Sequence, residues 1–148
     1  MIIVKNKVKT ISFSSSSFKQ KAEKILQYLK YSDFDLTILL VSDSVMKKYN
    51  KKFRNIDKTT DVLSFPYYTD TVAGKRVKVM DDEQILGDIL ISLPYVQENR
   101  HNLPGDFEQR MNRMLVHGIC HLLGYDHQTD ADYKKMIRLE NKLIKMIK

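Results

Sequence analysis

The chain has 148 residues, the size of one ordinary domain, and can bury a sizeable apolar core without disulfide bonds. A single cysteine, an apolar N-terminal run of only Met1 to Val4, and a longest apolar stretch of Leu36 to Val41 exclude a disulfide scaffold, a signal-peptide core and a membrane span. We therefore expect one domain, residues 1–148, in a soluble cytoplasmic monomer, and its net charge of +7 suggests an anionic partner.

The first elements alternate between strand and helix patterns. Ile2 to Val4 and Val8 to Ser12 have the pattern of short strands. Ser17 and Gln20 form a capping-box pattern at the start of a helix. The apolar stripe of that helix recurs with helical spacing at Phe18, Ala22, Ile25, Leu26 and Leu29. Asp35 to Val41 predicts a buried strand.

A strongly basic helix is predicted next, capped by Ser42 or Asp43. Its inward side chains are expected to be Val45, Met46, Tyr49 and Phe53, and its outward ones Lys47, Lys48, Lys51 and Lys52. Arg54 lies at the helix end, and Asp57 is the single acid between Lys47 and Lys58. Such a basic run is typical of a solvated helix face or of a nucleic-acid-binding surface.

The middle of the chain predicts two strands and a long connection. Val62 to Pro66 and Ile85 to Ser92 are rich in β-branched and apolar residues, as strands are. The polar stretch from Thr69 to Gln84 predicts an exposed, mobile hairpin or loop whose charges are solvated.

The last part of the chain predicts helices. A short one follows Pro94, and a longer one runs after Pro104 to Leu123. The core side of the longer helix is expected to be Phe107, Met111, Met114, Leu115, Gly118 and Leu122, with Arg110, His117 and His121 aligned at its flank. Thr129 and Asp132 form a capping pattern for a C-terminal helix. Its apolar face is expected to be Tyr133, Met136, Ile137, Ile144 and Ile147, with Glu140 in the middle.

These elements predict an α+β fold. We expect a single domain with a small mixed β-sheet of about four strands and about five helices. A metal site is expected at the C-terminal end of a core helix.

Three histidines form the most informative pattern, H-x3-H-x2-G-x2-H, at His117, His121 and His127. The first two lie four residues apart and so share one helix face. His127 cannot join them on a continuing helix, but Gly124 can end the helix in the left-handed conformation and return it from a loop. The pattern predicts a metal site with an open position rather than a closed structural zinc site. The alternative is three histidines with ordinary hydrogen-bond partners.

Two neighbours of the histidines narrow the chemistry. Zinc proteases of the H-E-x-x-H-x-x-G-x-x-H type carry a glutamate general base where this chain has Gly118, which argues against that mechanism of peptide hydrolysis. Cys120 is a poor fourth ligand, because its position on the helix directs it away from the histidine pair.

The histidine window resembles the H-G-x-L-H-L-x-G-Y-D-H signature of the YbeY family, with Cys120 where the family usually has leucine. The segments Tyr49 to Arg54 and Thr60 to Pro66 resemble the N-x-x-[YF]-R and T-D-V-L-S-F-P blocks of that family, in the same order. Further matches are Gly87-Asp88-Ile89, Met136 and Glu140, so the resemblance spans roughly residues 36 to 144.

The resemblance implies a zinc-dependent endoribonuclease that acts on single-stranded RNA. Its expected role is ribosomal RNA maturation, including 16S 3′-end processing, and ribosome quality control. The implied partners are precursor ribosomal RNA and the small ribosomal subunit or its proteins. The implied metal ligands are His117, His121 and His127, with zinc or another divalent ion as cofactor, and the implied catalytic residues are Arg54 and His117. The alternatives are a non-catalytic ribosome-assembly factor with a structural metal and a zinc peptidase that uses another base.

Three acidic residues have open roles at this point. Asp88 is a candidate to order a ligand or a water, and Asp126 either orients a ligand or stabilises its own turn. Glu140 either supports the metal loop by a hydrogen bond or forms an ion pair at the edge of its helix. The general base is not identified by this pattern. Two nucleophiles, water and the ribose 2′-hydroxyl, are compatible with it.

Overall fold

The computed structural model describes all 148 residues. Its four strands are β1 (Ile2–Asn6), β2 (Asp35–Val41), β3 (Val62–Pro66) and β4 (Ile85–Ser92). Its five helices are α1 (Ser15–Tyr28), α2 (Asp43–Arg54), α3 (Leu93–Glu98), α4 (Phe107–Leu122) and α5 (Asp130–Ile147). No helix is both long enough and apolar enough to cross a membrane.

The strands form one mixed sheet in the order β1-β2-β4-β3. The first three are parallel, while β3 pairs antiparallel with β4 and forms one edge of the sheet. The predicted α+β class, with about four strands and about five helices in a single domain, is confirmed.

The two faces of the sheet are covered unequally. Ile89 and Ile91 of β4 join the main core, which contains side chains of α1, α4 and α5. Leu90 points to the other face, as alternation along a strand requires, and packs in a small cluster with Met46 of α2. The main core therefore positions α4, and α2 alone shields part of the second face.

The orientation of α2 differs from the prediction. Only Met46 and Asn50 are buried on this helix, whereas Val45, Tyr49 and Phe53 are exposed. Asn50 is satisfied inside because its Nδ2 donates to the carbonyl oxygen of Lys58 at 2.8 Å. The expectation that all four apolar residues face inward is wrong, because a single helix over a small sheet face buries only one narrow ridge.

The N-terminal connection also differs from the prediction. Val8 to Ser12 is not a strand, since β1 ends at Asn6, whose Oδ1 accepts the backbone N–H of Val8 in a turn. The cap of α1 is Ser14, which accepts the N–H of Ser17, so the predicted Ser17 and Gln20 capping box lies inside the helix.

The later helices agree more closely with the sequence. The helix α4 starts at Phe107 rather than directly after Pro104, because Asp106 and Gln109 form a reciprocal capping box there. Thr129 caps α5 as predicted, but Tyr133 is exposed, since the buried ridge of that helix is Met136, Glu140, Leu143 and Ile147.

The connection between β3 and β4 contains no strand of its own, so of the two expected forms, hairpin or loop, it is a loop. Val77 is buried, and its N–H donates to the hydroxyl of Tyr31 at 2.9 Å. The guanidinium of Arg76 lies 4.5 Å from the centroid of the Tyr31 ring and donates to the carbonyl oxygen of Lys30. Arg76 is nevertheless exposed, like the other charged residues of this segment, as expected.

The start of α2 is held by the carboxylate of Asp43. It accepts the hydroxyl of Ser92 at 2.8 Å and that of Thr59 at 3.2 Å, and it pairs with Arg100. Burial raises the pKa of this carboxyl, but the hydrogen bonds from Arg100 and Ser92 outweigh burial and hold the pKa below its ordinary value of 3.8. Asp43 thus connects α2 to the end of β4.

Replacing Asp43 with asparagine should lower the free energy of unfolding at pH 7 by about 1 to 2 kcal/mol, because charge-assisted hydrogen bonds are lost. Since the folded-state pKa of Asp43 is depressed, this contribution is present above the ordinary pKa of 3.8 and is lost as the pH falls toward the folded-state value. Urea titrations of both proteins across pH 3 to 7 measure the difference. Equal stability at pH 7 would show that Asp43 does not stabilise the docking of α2.

Candidate metal centre

The three predicted ligands come together at the C-terminal end of α4. The Nε2 atoms of His117 and His121 face each other at 3.0 Å. His127 returns to them from the loop after the helix, and one ring nitrogen from each histidine lies within 4.8 Å of the others. The site is open to solvent, since His117 and His121 are half-buried and His127 is exposed.

The return of His127 depends on the turn at Gly124. The N–H of Gly124 donates to the carbonyl of His121, and that of Tyr125 donates to the carbonyl of Cys120. This is the Schellman pattern, with Gly124 in the left-handed region at φ +90°. A Cβ at this position would lie 2.4 Å from the carbonyl oxygen of Thr71, so glycine is required by space as well as by conformation. The predicted function of Gly124 is confirmed.

A carboxylate fixes the orientation of His117. The Nδ1–H of His117 donates to Oε2 of Glu140 at 2.8 Å, and the Glu140 side chain is only 11% exposed. The ring is thereby held with the lone pair of Nε2 directed toward the other histidines, as metal-binding histidines usually are. Glu140 acts on the ligand of α4 itself, not on the metal loop as one of the two sequence hypotheses had it.

The electrostatics of the site favour a neutral imidazole at His121. Burial lowers the pKa of His121, and the neighbouring His117 and His127 lower it further. A neutral imidazole is the form that binds a metal ion. Two nitrogen ligands of one tetrahedral zinc ion lie roughly 3.3 Å apart. The observed Nε2 spacing of 3.0 Å and the donor set therefore fit a divalent metal ion.

Cys120 and Asp126 do not add to the ligand set. Cys120 is fully buried in the main core, and burial raises the pKa of its thiol far above its usual range. The Oδ1 of Asp126 accepts the N–H of His127 at 2.7 Å, so this aspartate stabilises the turn that carries the third histidine.

The position occupied by glutamate in zinc proteases faces the sheet in this fold. A Cβ on Gly118 would lie 2.9 Å from Cδ1 of Ile89 on β4. The carbonyl of Gly118 also accepts the hydroxyl of Ser64 on β3 at 3.3 Å. Glycine at this position therefore lets α4 pack closely on the sheet.

An open cleft of about 720 Å³ extends from the histidines to the end of α2. Arg54 lines it together with the three histidines, as do Asp61 and Ser64. No carboxylate lies within 4 Å of the Arg54 guanidinium; its side-chain partner is the Oδ1 of Asn50 at 3.5 Å. The structure thus brings together the predicted metal ligands and catalytic residues, His117, His121, His127 and Arg54, in one cleft.

Two aspartates that line the cleft each accept a hydrogen bond from a backbone N–H group. Asp61, like Asp126, lines the cleft and accepts a backbone N–H, that of Val62, at 2.7 Å. No role is predicted for Asp61 from the sequence, although the matched Thr60 to Pro66 block contains it. Asp88 lies elsewhere, in a shallow pocket with Met1 and Asp35, and is not brought to the histidines.

Replacing Gly124 with alanine should destabilise the fold by about 1 to 3 kcal/mol and weaken zinc binding, because the new methyl group collides with the backbone of Thr71. Gly74 is a matched control, since it also has a positive φ, +83°, but open space around it. Thermal unfolding and zinc titration of both variants measure the effect. Equal losses for Gly124→Ala and Gly74→Ala would contradict the steric account.

Replacing Glu140 with glutamine should weaken zinc binding by roughly 10-fold, because the charge that orients and polarises His117 is removed. Competition with a chromophoric chelator measures the affinity. Glu108→Gln, on the exposed side of α4, is the control and should bind zinc as the unmodified chain does. Unchanged affinity in Glu140→Gln would contradict the proposed orienting function.

The chain is similar to known proteins over nearly its whole length. The family model described as "Endoribonuclease YbeY" matches residues 3–148. The Endoribonuclease YbeY of Persephonella marina is 34% identical over 148 residues, covering 99% of this chain and 92% of the relative. That of Pelagibacter ubique is 40% identical over 114 residues, covering 77% and 70% of the two chains.

A solved structure has the same fold. The solution structure of TM1509 from Thermotoga maritima superimposes with a TM-score of 0.66 at 28% identity, covering 99% of this chain and 89% of that one. The motif resemblance, the family model and the relatives agree over nearly the whole chain. This chain belongs to the YbeY family of endoribonucleases.

Proposed function

We propose that this protein is a zinc-dependent endoribonuclease that cuts single-stranded RNA. Its substrate is precursor ribosomal RNA, including the 3′ end of 16S RNA, and it works in the cytoplasm as a monomer on the small ribosomal subunit, where it also serves quality control. The observation that carries the proposal is the placement of Arg54 and the three histidines in one open cleft. The names of the relatives support the same activity.

The metal ligands are His117, His121 and His127. A bound zinc ion would lower the pKa of a water or polarise a phosphoryl oxygen. His117 and His121 would hold the ion with two nitrogens from one helix face, and Glu140 keeps the His117 ring in place. Three neutral ligands leave the charge of the ion uncompensated within its ligand set, which attracts a phosphodiester.

Arg54 is the phosphate-binding residue of this proposal. Its guanidinium has no carboxylate partner within 4 Å, so its donors are available for a phosphate in the cleft. A planar guanidinium binds two phosphate oxygens at once and stabilises the charge that develops on them during cleavage. The neighbouring lysines of α2 add a general attraction for RNA.

The two alternative functions are less well supported. A peptidase of the glutamate-dependent type lacks its base here, because Gly118 stands at that position and packs on Ile89. A non-catalytic assembly factor with a structural metal predicts that chelation unfolds the domain and that nuclease-free preparations do not cut RNA. The open, three-ligand arrangement favours catalysis over a structural site.

Replacing Arg54 with alanine should reduce cleavage of single-stranded RNA by about 10²-fold or more, because a donor to the transition-state charge is lost. Zinc content should stay at one ion per chain, since Arg54 is not a ligand. Gel analysis of RNA cleavage and elemental analysis of the same samples measure both quantities.

The exposed Arg138 of α5 does not line the cleft, so Arg138→Ala is the charge-matched control and should cut RNA normally. Cleavage by Arg54→Ala at the normal rate would show that the proposed mechanism is wrong.

A further inference from the structure

The outer flank of α2 presents stacked aromatic rings. The rings of Tyr49 and Phe53 are nearly parallel, at 12°, with centroids 5.9 Å apart. The ring of Phe65 on β3 meets Phe53 edge-on, with centroids 5.1 Å apart. Tyr49 is 36% exposed and Phe53 is 55% exposed. We call these three residues the aromatic strip.

The exposed rings of Tyr49 and Phe53 are not needed to pack α2 on the core. The helix α2 is anchored by the buried Met46 and Asn50, and Phe65 is the only strip residue packed against the small core cluster. Val45, four residues before Tyr49, and Ile56, three residues after Phe53, are also exposed. Exposed apolar side chains grouped in this way mark a binding site.

The charge around the strip identifies the chemistry of its ligand. Lys48, Lys52 and Lys58 have no carboxylate within 4 Å, while Lys47 and Lys51 share only Asp57, at 3.9 and 3.7 Å. The Nζ of Lys52 lies 5.2 Å from the centroid of the Phe53 ring. Protein interfaces are depleted in lysine, whereas single-stranded nucleic acid binds surfaces that combine aromatic faces with positive charge.

The aromatic strip borders the cleft across the β3 edge. Phe53 is followed directly by Arg54, which lines the cleft. Ser64 and Pro66 line it too, while Phe65 between them packs against the small core cluster on the other face of the sheet, as alternation along a strand requires. Because β3 is an edge strand, a polynucleotide can pass from the cleft over this edge to the outer flank of α2. The cleft and the strip thus form one path.

We propose that the aromatic strip is a base-stacking subsite for single-stranded RNA. Nucleobases next to the cleaved phosphate stack on Tyr49 and Phe53, while the surrounding lysines contact the backbone. The inference rests on the proposed function in that the ligand is the RNA that enters the cleft. It also supplies a reason for selecting single strands, because base faces are covered in a duplex.

The test uses binding of oligomers that lack the 2′-hydroxyl, so that cleavage does not enter the result. Fluorescence anisotropy compares a labelled 12-nucleotide oligodeoxyadenylate with an abasic 12-mer that keeps every phosphate. The variants are Tyr49→Leu and Phe53→Leu, which keep apolar side chains and remove the rings. The control is Tyr28→Leu, since Tyr28 is exposed on α1 and also has a lysine, Lys142, 5.8 Å from its ring centroid.

The unmodified protein should bind the base-bearing oligomer more tightly than the abasic one. Each strip variant should weaken binding of the base-bearing oligomer by about 5- to 100-fold and leave binding of the abasic oligomer unchanged. Tyr28→Leu should behave as the unmodified protein does.

Equal affinity of the unmodified protein for the two oligomers, or no binding of either, would overturn the proposal and leave a protein as the occupant of the strip. Normal binding by Tyr49→Leu and Phe53→Leu would overturn it as well. The outcome is separate from the nuclease test: ring-dependent binding by a chain that does not cut RNA would support the strip while the proposed nuclease function fails.

Discussion

The turn at Gly124 converts a pair of helical histidines into a three-histidine site. The helix α4 can present only two ligands on one flank, so the third must come from a chain that reverses direction within a few residues. The left-handed conformation of Gly124 and the two Schellman hydrogen bonds make that reversal. Glu140 then holds His117 from the side opposite the other imidazoles. The geometry of the histidine trio thus depends on one backbone turn and one buried carboxylate.

The two faces of the sheet are covered by different helices, and this arrangement places the histidine site beside the proposed RNA path. The main core, with α1, α4 and α5, presents the histidines near β3, and α2 lies over the other face. Both surfaces meet at the β3 edge, where Arg54 reaches the cleft. The same helix carries Tyr49 and Phe53 on its exposed flank. The positions of α2 and α4 on one small sheet therefore bring Arg54, the three histidines and the exposed aromatic rings to neighbouring surfaces.

Much of the fold and the site could be predicted because local patterns were strong. The bounds of β2, β3 and β4 agree with the apolar runs, and the histidine spacing with Gly124 predicted the trio. Which helix face is buried was harder to predict. Tyr49 and Phe53 match an apolar helical stripe, but α2 contacts the sheet along a narrow ridge, and both rings remain exposed. The pairing of Glu140 with His117 could not be derived either, since it depends on how α5 docks beside α4. Local spacing determines helix faces, whereas tertiary packing decides which face is buried.

The central claim is that the histidine trio holds the metal with which this chain cuts RNA. The most direct measurement is cleavage of single-stranded RNA by the unmodified protein and by His117→Ala, purified identically, with folding checked by circular dichroism. Contaminating nuclease would affect both samples equally. The account predicts that the folded His117→Ala protein loses zinc and cleavage together. Equal cleavage by the two proteins would contradict it.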